Sequence, residues 1–396
     1  MTTYNFDEIV PRQHTDCYKY EGLQDMFGRT DVLPLWVADM DFRTPPFIIR
    51  AIEKRLQQGI LGYTSSMPSY REAICRWVQQ RHGWAVRPEQ VSYVPGVVCG
   101  IFLALQAFTE KGDRVLIQQP VYHPFRLVPE ATGRQVVQSR LVRTESSFEM
   151  DFDALERDVQ GCRMMILCNP HNPAGICWSR ETLQRVASIC HEAGTLVVSD
   201  EIHCDMALPG HRHIPFATVS PEAQSISITL QAPSKTFNMP GIVCSHAIVP
   251  DEGLRQRFFS YIEGTDQDLG NVFAYDCARA CYTDEGNEWR EQMLLYVQGN
   301  IDYVDEQLRH HCPRIRMIRP QASYLCFLDC RELGLTQTEL EDFFINRARL
   351  ALNAGAMFGS AGEGYMRLNA GCPRSTLQQA ISQLRTAYEQ LLPAHR

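Results

Sequence analysis

The 396-residue chain has no apolar run approaching the length of a membrane span. Its first residues, Met1-Thr2-Thr3-Tyr4-Asn5-Phe6-Asp7-Glu8, carry neither the basic nor the apolar region of a secretory leader, so a cytoplasmic location is expected. Positive charge is also scarce: 38 Lys and Arg stand against 46 Asp and Glu, a formal net charge of −8. That balance argues against a nucleic-acid footprint or an anionic membrane surface as partner. No Cys-x-x-Cys pair occurs among the fifteen cysteines; the nearest sets are Cys277/Cys281 and Cys326/Cys330. Their odd number, and positions such as Cys168, Cys190, Cys244 and Cys326 inside apolar runs, indicate reduced core thiols rather than disulfides or zinc. Gly-x-Gly-x-x-Gly and the Walker loop are missing, which removes support for a Rossmann dinucleotide site or a P-loop. Repeats, low-complexity segments and long linkers are absent as well.

What is present is an ordinary globular composition, 44% hydrophobic and 21% charged, in a chain too long for one simple core. Pro45 and Pro46 open a helix pattern through Ile48, Ile49, Ile52 and Leu56, and a second runs from Ser69 to His82. From Val91 onward short apolar strands alternate with amphipathic helices. Strands are expected at 91–94, 114–117, 164–168, 195–199 and 225–230, with helices at 97–108 and 181–193. This alternation predicts an α/β fold with a mostly parallel sheet covered on both faces. After about residue 286 long helix patterns (288–311 and 336–349) flank a strand-like Tyr324–Leu328, which suggests a smaller α+β unit packed tightly on the first. The expected division is 46–286 for the large domain and 1–45 with 287–396 for the small one.

Polar residues sit where these strands end, the edge at which open α/β sheets bind ligands. Asn169-Pro170-His171-Asn172-Pro173-Ala174-Gly175 closes one strand, Asp200-Glu201-Ile202-His203 the next, and Lys235 follows the one after. Gly96-Val97-Val98 opens a helix whose free N–H groups can hold an anion, and Pro120-Val121-Tyr122 presents an aromatic face. A lysine alone is usually a surface residue and an Asp at a strand end a cap. Together they match the needs of pyridoxal phosphate: a lysine for the imine, an acid at the ring nitrogen, a donor to the phenolic oxygen, a stacking ring and an anion pocket.

Over nearly its whole length the chain resembles the fold-type I aminotransferase superfamily, and within it the aminotransferase-like cystathionine β-lyases, or C–S lyases. The resemblance rests on Asp39-Met40-Asp41-Phe42, the Asn169–Gly175 run, Ser199–His203, Ala232-Pro233-Ser234-Lys235-Thr236-Phe237-Asn238 and Arg367-Leu368-Asn369-Ala370-Gly371-Cys372-Pro373. It implies a large domain built on a mostly parallel seven-stranded sheet between helices, plus the smaller α+β domain. It further implies that Lys235 binds the cofactor covalently, Asp200 pairs with the pyridine nitrogen and Asn172 bonds the phenolic oxygen. Tyr122 would stack on the ring, while Gly96, Val97, Val98 and Ser234 would hold the phosphate. Arg367 would take the substrate α-carboxylate. Tyr63 would reach the phosphate from a neighbouring subunit, making the enzyme a homodimer.

Two departures from ordinary aminotransferases stand out. His203 occupies the place of a Tyr that usually bonds the phenolic oxygen, and Val243 that of a phosphate-binding Arg; both recur in the C–S lyase branch. The implied reaction is therefore α,β-elimination of L-cystathionine or a related cysteine thioether to thiol, pyruvate and ammonia, with Lys235 or Tyr122 as proton donor to sulfur. An aminotransferase is the rival, and a PLP-containing regulatory protein that acts by binding a partner is a rival of another class. Asp39 and Asp41 either cap the next helix or, with Met40, line the substrate pocket. His123 is either catalytic or structural. His211-x-His213 lacks a third metal ligand and reads as a solvated loop, so no metal is expected.

Overall fold

The computed structural model describes residues 2–391 of the chain; Met1 and residues 392–396, at the ends of the expected small domain, lie outside the described residues. The central sheet contains β1 (Val91–Val94), β2 (Arg114–Gln119), β3 (Gln135–Arg143), β4 (Phe148–Met150), β5 (Cys162–Cys168), β6 (Leu196–Asp200), β7 (Ser227–Gln231) and β8 (Ser245–Ile248). Their spatial order is β1-β8-β7-β6-β5-β2-β3-β4. Only β8 and β4 run against the rest. The expected count of seven is thus one short. The extra strand is the three-residue β4, which folds back on β3 to form the sheet edge and carries too little pattern to read as a strand.

Two helical layers explain the unbroken apolar strands. Met165, Leu167 and Val197 pack under the helices Phe152–Asp158 and Arg180–Glu192, while Met164, Ile166, Val198 and Ile228 pack under Val97–Phe108 and Glu252–Gly264. Alternate side chains of one strand therefore meet different cores, each worth roughly 1.5–3 kcal/mol when fully buried. Helix starts follow local chemistry: Pro46 sits at the first turn of Pro46–Leu56, and Ser179 accepts the Thr182 N–H at 3.1 Å to cap Arg180–Glu192.

A second, antiparallel sheet has the order β9-β10-β12-β11, from β9 (Arg316–Ile318), β10 (Leu325–Asp329), β11 (Asn353–Ala354) and β12 (Tyr365–Asn369). It shares one buried core with the helices Pro46–Leu56, Pro68–His82, Asp284–His311 and Arg374–Leu391. The pattern over 336–349 does not form one helix. It gives Gln337–Asp342, widens into a π-turn over Phe343–Arg347, and stops at Arg349, whose φ of 56° ends the helix before Leu350–Ala351 pairs with Leu33–Pro34. Among the described residues no helix is long and apolar enough to cross a membrane.

Candidate functional site

The C-terminal ends of β5, β6 and β7 are in register, Cys168 beside Asp200 and Asp200 beside Leu230. The turns leaving them, with the turn after β1, enclose a cavity of about 250 Å³. Gly96, Val97, Val98, Tyr122, Asn172, Asp200, His203, Ser234 and Lys235 all line it. Gly96 has φ of 96°, a conformation glycine adopts without penalty, and it turns the chain so that the helix Val97–Phe108 begins at the cavity wall.

Lys235 donates from Nζ to the carbonyl of Ala38 at 2.7 Å. That carbonyl belongs to a strap, residues 37–42, clamped from two sides by asparagine amides. Asn238, three residues past Lys235, donates to the carbonyls of Met40 and Phe42 at 2.9 and 2.7 Å and accepts the Met40 N–H. Asn369, two past Arg367, donates to the carbonyls of Val37 and Asp39 at 2.7 and 2.6 Å. Two motifs distant in sequence thus fix the same strap against the lysine. Burial, reinforced by the repulsion of Arg367, lowers the Lys235 ammonium to about 8, so far more of it is neutral near pH 7 than in an ordinary lysine.

Asp200 ends β6 and accepts the Ile202 N–H at 3.0 Å. Burial pushes its carboxyl up to about 7, partly offset by that hydrogen bond. His203 is driven the other way, to about 3, by burial and then by Lys235 and Arg367, so the imidazole facing the cavity is neutral. Burial also raises the Tyr122 hydroxyl. Lys235 is the sole Lys or Arg among the described residues that line the cavity.

Arg367 lies behind Asn172 on β12, buried. It donates to Asn172 Oδ1 at 3.1 Å, the Trp36 carbonyl at 3.1 Å and Asn353 Oδ1 at 2.6 Å, and its Nε has no partner. Its guanidinium stands 4.9 Å over the Phe358 ring, and burial lowers its pKa to about 10.

The family model for class I and II aminotransferases matches residues 30–384. The chain belongs to that family. It is 41% identical over 385 residues to the cystathionine beta-lyase PatB of Bacillus subtilis (strain 168), which covers 97% of this chain and 99% of that one. Cystalysin from Treponema denticola, whose structure contains a pyridoxal 5'-phosphate cofactor, superposes with a TM-score of 0.95 at 29% identity over 99% of this chain and 100% of its own. The PLP-bound C-S lyase from Staphylococcus hominis, complexed with L-cycloserine, gives 0.91 at 30% identity over 98% of both chains.

Several expected site residues of this aminotransferase-family chain lie elsewhere. The Met40 side chain is only 1% exposed and packs in the core; its backbone, not its sulfur, belongs to the strap. Asp39 and Asp41 cap no helix, since the next one starts at Pro46 behind Pro45. They instead hold two cations: half-buried Arg12 bonds Asp39 at 2.5 Å and Asp41 at 2.6 Å, and fully buried Lys19 bonds Asp41 at 2.7 Å. Arg12 and Lys19 lie twenty or more residues upstream of these acids, too far for spacing to reveal the pairing. Tyr63 is fully exposed and touches no part of its own cavity. His123 packs edge-on against Tyr122 with centroids 5.1 Å apart, and burial lowers its pKa. His213 is not solvated: it is buried and bonded to Glu201 at 2.9 Å, while His211 is exposed.

Sequence reading missed the residues that the small sheet delivers. Tyr324 Oη donates to the Ala38 carbonyl at 2.9 Å, and Asn353 reaches Arg367 because their strands pair in register. Cys168 Sγ accepts the Asn172 N–H at 3.3 Å and so orients that loop.

Proposed function

We propose that the protein is a carbon–sulfur β-lyase that uses pyridoxal 5'-phosphate to eliminate the thiol from L-cystathionine or a related cysteine thioether, giving pyruvate and ammonia. The observation that carries this reading is the end-to-end likeness to a cystathionine beta-lyase, in a chain whose Lys235 and Asp200 line one cavity. The residues present fit the cofactor. Asp200 is a carboxyl that burial raises, and a protonated ring nitrogen would supply a positive charge to pair with it. Asn172 accepts from Arg367 through Oδ1, leaving its NH₂ to donate to a phenolic oxygen. The free N–H groups of Val97 and Val98 and the hydroxyl of Ser234 suit a phosphate, and Tyr122 a ring face.

The cofactor supplies the sink for the electron pair left when the substrate Cα–H bond breaks. Lys235 is the residue that would hold the cofactor, and its amine at the cavity wall is the base for the substrate Cα proton. Its lowered pKa leaves it neutral enough to do so. Arg367 would offer its unpartnered Nε–H to the substrate carboxylate, holding Cα near Lys235. The thiolate leaving Cβ takes a proton from Lys235 or from Tyr122. Neutral His203 adds no positive charge to the cavity, which leaves Asp200 as the acid that would face the cofactor's ring nitrogen.

The active unit is a homodimer in the cytoplasm. Tyr63 supports the dimer: it tops an exposed loop beside Ile60, Leu61 and Met67, apolar side chains more than half exposed, and would add its hydroxyl to the partner's phosphate pocket. The chain divides into a large domain (46–286) and a small one (1–45 and 287–396) that supply Lys235 and Arg367 respectively. The test is continuous pyruvate release from L-cystathionine by the wild type and by Lys235→Ala. Steady release by the wild type, lost in the variant along with the yellow colour of lysine-bound cofactor, is expected. No pyruvate from the cofactor-loaded wild type on any cysteine thioether would overturn the reading.

A further inference from the structure

The two consecutive residues His203 and Cys204 face different cavities. His203 looks into the catalytic one, and Cys204 lines a second of about 370 Å³ on the other side of the segment. That volume lies in the range of small-ligand sites, roughly 300–1,000 Å³. Its polar wall is made of guanidiniums and imidazoles: Arg81, Arg212 and Arg290 with His82, His211 and His213. A smaller cavity of about 130 Å³ shares His82, Arg212 and His213 and adds Arg180. Among the described residues the sole carboxylate lining either is Glu291, which stands 3.8 Å from Arg81.

His82, Cys204 and Asp205 stand close enough to suggest a metal. The surroundings speak against a cation. Both Asp205 oxygens are engaged, by Trp77 Nε1 at 2.9 Å and His82 Nε2 at 3.2 Å, and burial holds the Cys204 thiol protonated. Three guanidiniums at the same cavity repel a divalent ion and attract an oxyanion. Two of the groups are built into the interior. Arg290 is 5% exposed and is fixed by one bond from Nε to the Asp205 carbonyl, and His213 is 2% exposed with Nδ1 unpartnered. The remaining wall is apolar, with Leu208, Leu294 and Leu295.

We propose that this cavity is a second ligand site, separate from the catalytic one, for a small phosphomonoester: a dianionic head held by Arg81, Arg212 and Arg290 and a short apolar body against Leu294 and Leu295. A planar guanidinium matches a phosphate edge-on with two parallel hydrogen bonds, and a phosphomonoester offers more acceptor oxygens to several such forks than a carboxylate does. A bare phosphate leaves much of the cavity unfilled, so a molecule with an apolar body binds more tightly.

The experiment uses holoenzyme saturated with cofactor, so that the catalytic phosphate pocket is occupied. Calorimetric titrations with inorganic phosphate, phenyl phosphate and benzoate are run at one ionic strength set with chloride. One phenyl phosphate per chain should bind saturably, more tightly than inorganic phosphate and benzoate. Arg212→Ala, at an exposed position outside the catalytic machinery, should weaken phenyl phosphate by at least about tenfold and leave basal turnover unchanged. Arg290→Lys should weaken it as well; if that variant does not fold, Arg212→Ala decides. Absence of saturable phenyl phosphate binding, equal affinity in Arg212→Ala, or benzoate binding as tightly as phenyl phosphate would overturn the proposal.

Discussion

Lys235 and Tyr324 share one acceptor: Nζ and Oη both donate to the carbonyl oxygen of Ala38, at 2.7 and 2.9 Å. The lysine comes from the turn after β7 and the tyrosine from the residue before β10, so this carbonyl ties the two sheets together at the reacting amine.

Removing one donor tests that tie. Tyr324→Phe deletes a neutral hydrogen bond worth roughly 0.5–1.5 kcal/mol, so turnover should fall by about 2- to 10-fold with cofactor content unchanged. Unaltered turnover would show that the shared carbonyl does not position Lys235. A loss beyond about a hundredfold would make Tyr324 a participant in the chemistry itself.

Asp200 makes the cofactor-free protein sensitive to pH in a defined direction. Its folded pKa, about 7, lies above the unfolded value near 3.8, so the folded state binds more protons between them. Stability is then fully present below the unfolded pKa and is lost as pH rises toward 7. Asp200→Asn carries no such charge. The melting temperature of the cofactor-free variant should exceed that of the wild type by a margin that grows from pH 4 to 7 and then levels off. A margin independent of pH would show that Asp200 is not held protonated by burial.

Arg367→Ala should spare cofactor binding and damage substrate use. Truncating one partner of a buried charged pair costs roughly 2–5 kcal/mol, so kcat/KM should drop by about 30- to several-thousand-fold. A loss under about threefold would place the substrate carboxylate elsewhere.

Tyr63 tests the shared site. Provided each single variant is inactive, heterodimers of Tyr63→Ala and Lys235→Ala chains contain one intact site and should regain activity. Verified heterodimers that stay inactive would show that Tyr63 serves its own chain.

Much of this was readable from the chain. Lys235, Asp200, Asn172 and Gly96 follow strands or open helices whose apolar runs declare themselves, because both sheet faces are covered and every residue of β5 but Arg163 is buried. What escaped depends on register and on distant pairing. Asn353 matters through its place opposite Arg367, and Asp39 through Arg12, neither of which any local spacing encodes. β3 does not read as a strand because its burial is irregular, and the place of His213 is hidden because its partner Glu201 lies twelve residues upstream.

Elimination and transamination differ in what remains after one turnover, and that is the most direct test. Cofactor-loaded enzyme is mixed with excess L-cystathionine and no 2-oxo acid, and products are counted per active site. The account predicts many turnovers, with pyruvate, ammonia and homocysteine released in equal amounts and the cofactor still in its starting form. A reaction that halts after one equivalent, leaves pyridoxamine phosphate and restarts on addition of 2-oxoglutarate would contradict it.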